Sequence, residues 1–82
     1  MTPYKSTTGQ ASRWVNRERG RYYIAIVAPD LFGGWHLTRY WGSLEGRRGG
    51  AMSEYYSDWR VIEEALWRIG GRRRQHGYLL IP

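Results

Sequence analysis

The sequence predicts an α+β domain in which one α-helix packs on a small antiparallel β-sheet. Short segments rich in β-branched and aromatic residues lie before and after a single stretch whose apolar residues recur at three- and four-residue spacings. The chain has 82 residues, which suits a single domain with a small core. Strands on both sides of one amphipathic helix are typical of the α+β class.

The N-terminal segment has the composition of a tail. Residues 1–12 are rich in Thr, Ser and Gly and show no hydrophobic periodicity, so we expect a disordered tail there and a folded domain over residues 13–82. Trp14 and Val15 follow between arginines and predict a short edge strand, because charges on an edge discourage pairing with another sheet. Residues 16–20 then predict a turn.

The clearest strand covers residues 21–28, where β-branched and aromatic residues precede a Pro-Asp turn. Its continuous apolar character predicts a central place in the sheet. The alternating residues 35–41 predict the next strand, and the short connection permits only an antiparallel hairpin. Arg39 falls on the aromatic face of that strand, which requires either a bulge that turns it outward or a cation–π contact with Trp41 or another ring.

The second half of the chain predicts a loop, a strand, the helix and a last strand. Glycine-rich residues 42–50 form the loop and residues 51–56 the third strand. Ser57 or Asp58 caps a helix that runs to about residue 69, where two glycines end it. Its expected buried stripe is Trp59, Ile62, Ala65, Leu66 and Ile69.

Two features remain around that helix. Trp67 and Val61 lie off the buried stripe, so either the helix is covered on more than one side or it offers Trp67 to a partner. Residues 78–81 are long enough for one further edge strand.

The charge of the chain is strongly basic and consists almost entirely of arginine. Twelve Arg and one Lys outweigh seven acidic residues, for a formal net charge of +6. The planar guanidinium group matches phosphate geometry and stacks on bases, so the composition favours a phosphate-bearing partner. A genome-wide preference for arginine codons would explain the ratio of Arg to Lys, but it would not explain the clustering.

Several other classes of function lack support in the sequence. There is no cysteine, and His36 and His76 have no nearby ligand pattern, so we expect no metal and no cofactor. No nucleophile–histidine spacing stands out, and the loop GRRGG lacks the lysine of a phosphate-cradling motif, so we expect no enzyme. No apolar run reaches the length of a membrane span or signal-peptide core, and we expect a cytoplasmic protein without a membrane partner.

From about residue 14 to Tyr78 the chain resembles the WGR domain family, named after a Trp-Gly-Arg motif. The positions that fall in register with the family's central pattern are Trp35, Leu37, Arg39, Trp41 and Gly42. The motif arginine is replaced by Ser43, and the loop before Gly46 is longer by one residue, with Glu45 as the extra one. The resemblance implies a small antiparallel sheet with one helix, and binding to nucleic acid at strand ends or breaks.

The resemblance also implies roles for individual residues. Trp41 would stack near the sugar of a terminal nucleotide, although it could equally fill the core at a strand end. Ser43 can donate a hydrogen bond to a phosphate but cannot replace the bidentate arginine contact. The family places basic residues that face nucleic acid ahead of its Gly-Tyr pair, and Arg73 and Arg74 occupy that place, where they also favour the helix dipole.

We therefore expect a non-catalytic, arginine-rich nucleic-acid-binding module that prefers DNA to RNA. It would use phosphate contacts and aromatic stacking through Arg39, Trp41, Gly42, Ser43, Arg47, Arg48, Arg73 and Arg74. The alternative is a protein-interaction module that docks an acidic partner or associates with itself. In either case we expect a monomer or a weak dimer.

Overall fold

The computed structural model describes residues 10–46 and 48–82. In chain order its elements are β1 (Gln10–Asn16), β2 (Arg21–Pro29), β3 (Trp35–Ser43), β4 (Gly49–Tyr56), α1 (Trp59–Gln75) and β5 (Leu79–Ile81). The strands form one antiparallel five-stranded sheet in the order β4-β3-β2-β1-β5. Within the described residues no helix is long and apolar enough to cross a membrane. The architecture is the predicted α+β fold with one helix.

The core lies between α1 and one face of the sheet. Its buried side chains are Trp14, Tyr23, Ala25, Val27, Leu37, Ile62, Ala65 and Ile69. Alternate residues of β2 face the helix, and β2 lies at the centre of the sheet as expected. The predicted helix stripe is also confirmed, because Ile62, Ala65 and Ile69 are buried while Trp59 and Leu66 pack partly buried against them.

The first strand differs from the prediction in its place and its start. It is no edge strand, because β5 pairs with it on the side away from β2, from Val15 with Leu79 to Arg13 with Ile81. It also begins at Gln10, so residues 10–12 belong to the sheet rather than the tail. Backbone hydrogen bonds to the long strand β2 hold these residues in the sheet, and such bonds do not depend on the side chains. Residues 1–9 of the predicted tail lie outside the described residues.

The helix does not end at Gly70 and Gly71, as predicted, but continues for another turn to Gln75. Gly70 lies beside the Trp14 ring, to which an added Cβ would come within 3.9 Å. Helix termination occurs instead at Gly77, whose φ of 84° is easy only for glycine. The Gly77 amide donates to the Arg74 carbonyl at 3.1 Å and the Tyr78 amide to the Arg73 carbonyl at 2.9 Å, which together form a Schellman motif.

Strand β4 begins at Gly49, inside the segment predicted as loop. Both Gly49 and Gly50 pair with β3, opposite Gly42 and Trp41. A Cβ on Gly50 would lie 2.6 Å from Cζ2 of Trp41, so the missing side chain makes room for the indole ring. At this point glycine permits a close approach between strands rather than a turn.

Candidate nucleic-acid interface

The direction of α1 places the arginines of its last turn at one end of the sheet. Its first turn lies against β3 near Trp35, whose ring centroid is 5.2 Å from that of Trp59. Its last turn reaches the other end of β3 and β2, where the Arg73 guanidinium carbon lies 4.1 Å from the ring centroid of Tyr23. Residues far apart in the sequence, on β3 and on the helix, therefore meet at this end.

A cationic cleft of about 280 Å³ opens there between the helix and the sheet. Four arginines line it, Arg39, Arg68, Arg72 and Arg73, and the other lining residues are Tyr23, Ala65 and Ile69. No carboxylate lies among the described lining residues, so the cleft attracts anions. Arg39 and Arg73 were predicted as site residues.

Arg68 and Arg72 were missed by the sequence prediction. They stand four positions apart, which puts them on the same flank of a continuous helix, one turn after the other. That spacing was a usable signal. It was lost because the helix was expected to stop at residue 69, before Arg72.

Arg73 is held between two aromatic rings. Its guanidinium carbon lies 4.1 Å from the Tyr23 centroid and 5.1 Å from the Tyr78 centroid, within the range of cation–π attraction. Its Nε is buried and has no hydrogen-bond partner. The contacts with both rings therefore hold a cation in a fixed position at the cleft.

Arg39 keeps its place on the helix-facing side of β3 by forming an ion pair with Glu54. The pairing register of β3 with both neighbouring strands is continuous through Arg39, so there is no bulge at this residue, which was one of the two predicted alternatives. Its Nη2 donates to Oε1 of Glu54 at 3.2 Å, while Nε is buried without a partner. Tyr56 donates to the same Oε1 at 2.9 Å, and burial, followed by this bond, raises the pKa of the Tyr56 hydroxyl.

Trp41 is partly buried and held in position from two sides. On β2 the Tyr23 ring stacks with it at a centroid distance of 6.3 Å and an interplanar angle of 19°, and on β4 Gly50 makes room for it. Tyr23 also contacts Arg73, so the indole, the phenol and the guanidinium form one continuous group beside the cleft. Trp41 is thus part of the packing at the strand end and also a neighbour of the cationic cleft.

The loop after β3 is closed by local hydrogen bonds in which Ser43 takes part. Its Oγ accepts from the amides of Glu45 at 3.3 Å and Gly46 at 3.1 Å. The next residue, Leu44, donates its amide to the Gly20 carbonyl at 2.8 Å, which joins the loop to the β1–β2 turn. Ser43 therefore stabilises the loop in a position where the WGR family carries an arginine.

The remaining predicted site residues have different surroundings. Gly42 is buried, and a Cβ there would lie 2.6 Å from the Arg48 carbonyl oxygen, so the residue serves close packing. Arg48 is exposed at the same end of the sheet, and Arg47 lies outside the described residues. Arg74 is exposed and does not line the cleft. Among residues 10–46 and 48–82, no three His, Asp or Glu side chains are grouped as metal ligands.

Comparison with protein-family models, with curated proteins and with solved structures gives no match to this chain. The relationship to the WGR family therefore stays a prediction from the quoted residues. The candidate site depends on its own geometry: four arginines, two of them with buried unpaired Nε groups, beside a stacked Tyr23–Trp41 pair.

Proposed function

We propose that this domain is a non-catalytic module that binds nucleic acid through the cationic cleft. The observation that carries the proposal is a cleft lined by four arginines, with no carboxylate among its described lining residues, beside the stacked Tyr23–Trp41 pair. A phosphate oxygen is an acceptor that guanidinium groups bind with charge-assisted and often bidentate hydrogen bonds. Binding a phosphate would thus offset the mutual repulsion of neighbouring cations.

The aromatic residues beside the cleft support a ligand with a flat part as well as a charged one. Tyr23 and Tyr78 contact Arg73, and Trp41 stacks on Tyr23. Base or sugar stacking on such side chains tolerates any sequence. The resemblance to the WGR family places its key tryptophan at Trp41. That resemblance is our reason for naming DNA before RNA and strand ends or breaks before continuous duplex.

In this proposal, the positive charge that the motif arginine supplies in the WGR family comes from other residues of the chain. Ser43 holds the loop through its Oγ and adds no charge. Arg68 and Arg72 stand at the cleft beside the two predicted arginines and supply positive charge. We propose that these helix residues replace the missing arginine as phosphate ligands.

The test is a titration of the protein with blunt, nicked and single-stranded DNA and matched RNA at several salt concentrations. Each phosphate contact contributes about 0.9 to the slope of log K against log salt for duplex DNA, so changing Arg68 and Arg72 to Gln should lower the slope by about 1.8. Arg60→Gln is the matched control, because Arg60 is exposed and pairs with Asp58 at the first turn of the same helix. Equal slopes for the double variant and the control would remove the cleft from the interface.

A second candidate function is docking of an acidic protein. The observation that favours it is Trp67, which is 78% exposed on the outer face of the helix. Aromatic residues of this kind are common anchors in protein interfaces. Under this proposal Trp67→Ser leaves DNA affinity unchanged and abolishes binding to the protein partner.

A further inference from the structure

The turn between β2 and β3 displays two apolar side chains to solvent. Leu31 and Phe32 are each 95% exposed, and we call this pair the knob. The turn that carries it is closed by backbone bonds from the Asp30 amide to the Gly34 carbonyl at 2.9 Å and from the Gly33 amide to the Asp30 carbonyl at 3.3 Å. Isolated exposed apolar residues are ordinary, but an adjacent pair on a bonded turn is a possible anchor.

Side chains hold the turn as firmly as its backbone. Asp30 accepts the Phe32 amide at 2.9 Å through one carboxylate oxygen and meets Nε2 of His36 at 2.7 Å through the other. These two bonds lower the pKa of the Asp30 carboxyl, which stays ionised. Tyr55 donates its hydroxyl to the Gly33 carbonyl at 2.9 Å. The backbone of the turn is therefore held in place, which lowers the part of the ordering entropy that binding would cost.

A mainly apolar groove of about 370 Å³ lies along β5 and the end of β1. Its apolar lining is Val15, Leu79, Leu80 and Ile81, and Asn16, Gly77, Arg17 and Glu18 complete it. Leu79 and Leu80 are 73% and 61% exposed.

The knob and the groove lie at opposite ends of the molecule. Strand β1 is antiparallel to β2, so Asn16 pairs with Arg21 at the start of β2, while the knob follows the end of β2. The molecule is 39 Å long, so a chain cannot insert its knob in its own groove. A second copy can.

The charges at the two ends also match. Beside the knob stands the ionised Asp30. Arg17 lines the groove together with the carboxylate Glu18, Arg13 pairs with Ile81 of β5, and Arg19 and Arg21 line an adjoining cavity. Opposite charges at the two ends favour a head-to-tail orientation over a head-to-head one.

From this match of apolar character and charge we propose that the knob of one copy docks in the groove of another. The contact joins two different surfaces, so it leaves one free knob and one free groove and extends to longer assemblies. An interface of this size belongs to the weak, transient class. The proposal goes beyond nucleic-acid binding and does not depend on it.

Complementation between two variants of the full chain tests the proposal. The knob variant changes Leu31 and Phe32 to Ser, and the groove variant changes Leu79 and Leu80 to Asp. For the parent chain, the weight-average mass in sedimentation equilibrium should rise with concentration up to about 1 mM and should pass that of a dimer. Each variant alone should stay monomeric, and an equimolar mixture should form dimers and nothing larger, since one intact knob meets one intact groove.

The controls separate this interface from misfolding and from other apolar residues. Far-UV circular dichroism and the melting temperature should match the parent in both variants, because all four side chains are mostly exposed. Trp67→Ser, which removes another exposed aromatic, should associate like the parent. Concentration-dependent amide shifts should be confined to residues 30–34 and to the lining of the groove.

Four results would overturn the proposal. In the first, the parent chain is monomeric at every concentration up to about 1 mM, and in the second, the knob variant associates as strongly as the parent. In the third, the mixture of the two variants stays monomeric. A parent that stops at a dimer would equally contradict it, because a closed two-fold dimer uses one surface on both copies.

Discussion

Arg73 shows how a single side chain joins the core to the candidate site. Its guanidinium lies between Tyr23, a buried core residue, and Tyr78, and the same group lines the cationic cleft. Planarity matters for both contacts, since a flat cation covers a ring face and presents a fork of donors at its edge. A lysine would keep the charge at this position and lose both properties.

We therefore expect Arg73→Lys and Arg73→Gln to differ in the salt dependence of DNA binding. Both should lower the free energy of unfolding by about 0.5–2 kcal/mol in urea titrations, because the cation–π contact is weakened or lost. In DNA titrations Arg73→Lys should weaken binding while leaving the salt slope unchanged. Arg73→Gln should also lower the slope by about 0.9.

Arg74 provides the matched control for this pair, as the neighbouring arginine that is exposed and outside the cleft. Arg74→Lys should leave the unfolding free energy within about 0.5 kcal/mol of the parent. If Arg73→Lys bound DNA with the parental affinity, the fork of donors would have no part in binding.

At the scale of elements, the two glycines of α1 and its cap have opposite roles. Gly70 sits inside the helix, where an added Cβ would make an ordinary contact of 3.9 Å with the Trp14 ring. Gly77 sits just past the helix with a φ of 84°, and an added Cβ would come within 3.2 Å of Nδ2 of Asn16. That nitrogen donates to the His76 carbonyl at 2.9 Å and so belongs to the cap.

Replacing each glycine by alanine should move stability in opposite directions. Gly70→Ala should stabilise the domain by about 0.5–1 kcal/mol, because alanine is the better helix former. Gly77→Ala should destabilise it by about 1–2 kcal/mol, because an L-residue resists the left-handed conformation. Thermal unfolding of both variants measures the difference, and a lower melting temperature for Gly70→Ala would mean that the Trp14 contact is tighter than the distance indicates.

The same helix shows which elements a sequence reveals and which it conceals. The β2–β3 hairpin and the stripe of Ile62, Ala65 and Ile69 were predictable, because local alternation and three-to-four spacing encode them. The helix end was not, since the adjacent Gly70 and Gly71 suggested a stop that the cap at Gly77 provides later in the chain. The pairing of β5 with β1 is likewise a long-range contact.

The candidate site was predictable to a similar extent. Arg39 and Arg73 were predicted as site residues and both line the cationic cleft, with Trp41 close by, because the motif spacing placed them on β3 and behind the helix. Arg68 and Arg72 were missed together with the true helix end. The role of Ser43 in closing its loop needs the positions of two backbone amides, which residue types alone do not specify.

On the scale of the whole molecule, the cationic cleft and the knob lie at opposite ends of the central strands. The arginines of the last helical turn lie at one end with Tyr23 and Trp41, and the knob lies at the other. The two proposed interfaces do not overlap, since the cleft opens between the helix and the sheet and the groove follows β5. One copy can therefore engage nucleic acid and a neighbouring copy at once, and the two activities are separable by mutation.

The position of β5 has a consequence for how the chain folds and opens. Strands β1 to β4 pair in sequence order through short connections, so their contacts are local and form quickly. The three residues of β5 pair instead with β1, far back along the chain, and only after the helix and its cap are in place. We expect β5 to dock last in folding and to detach first in the native state.

Native-state hydrogen exchange provides the measurement. The amides of β5 that are bonded to β1 should exchange through an opening of lower free energy than the amides of β2. The β2 amides should stay protected until global unfolding. Equal protection of both strands would show one cooperative unit instead. If β5 opens alone, the next residue back along the chain is Tyr78, whose ring covers the guanidinium group of Arg73. The frequency with which β5 detaches would then set how often the cationic cleft loosens.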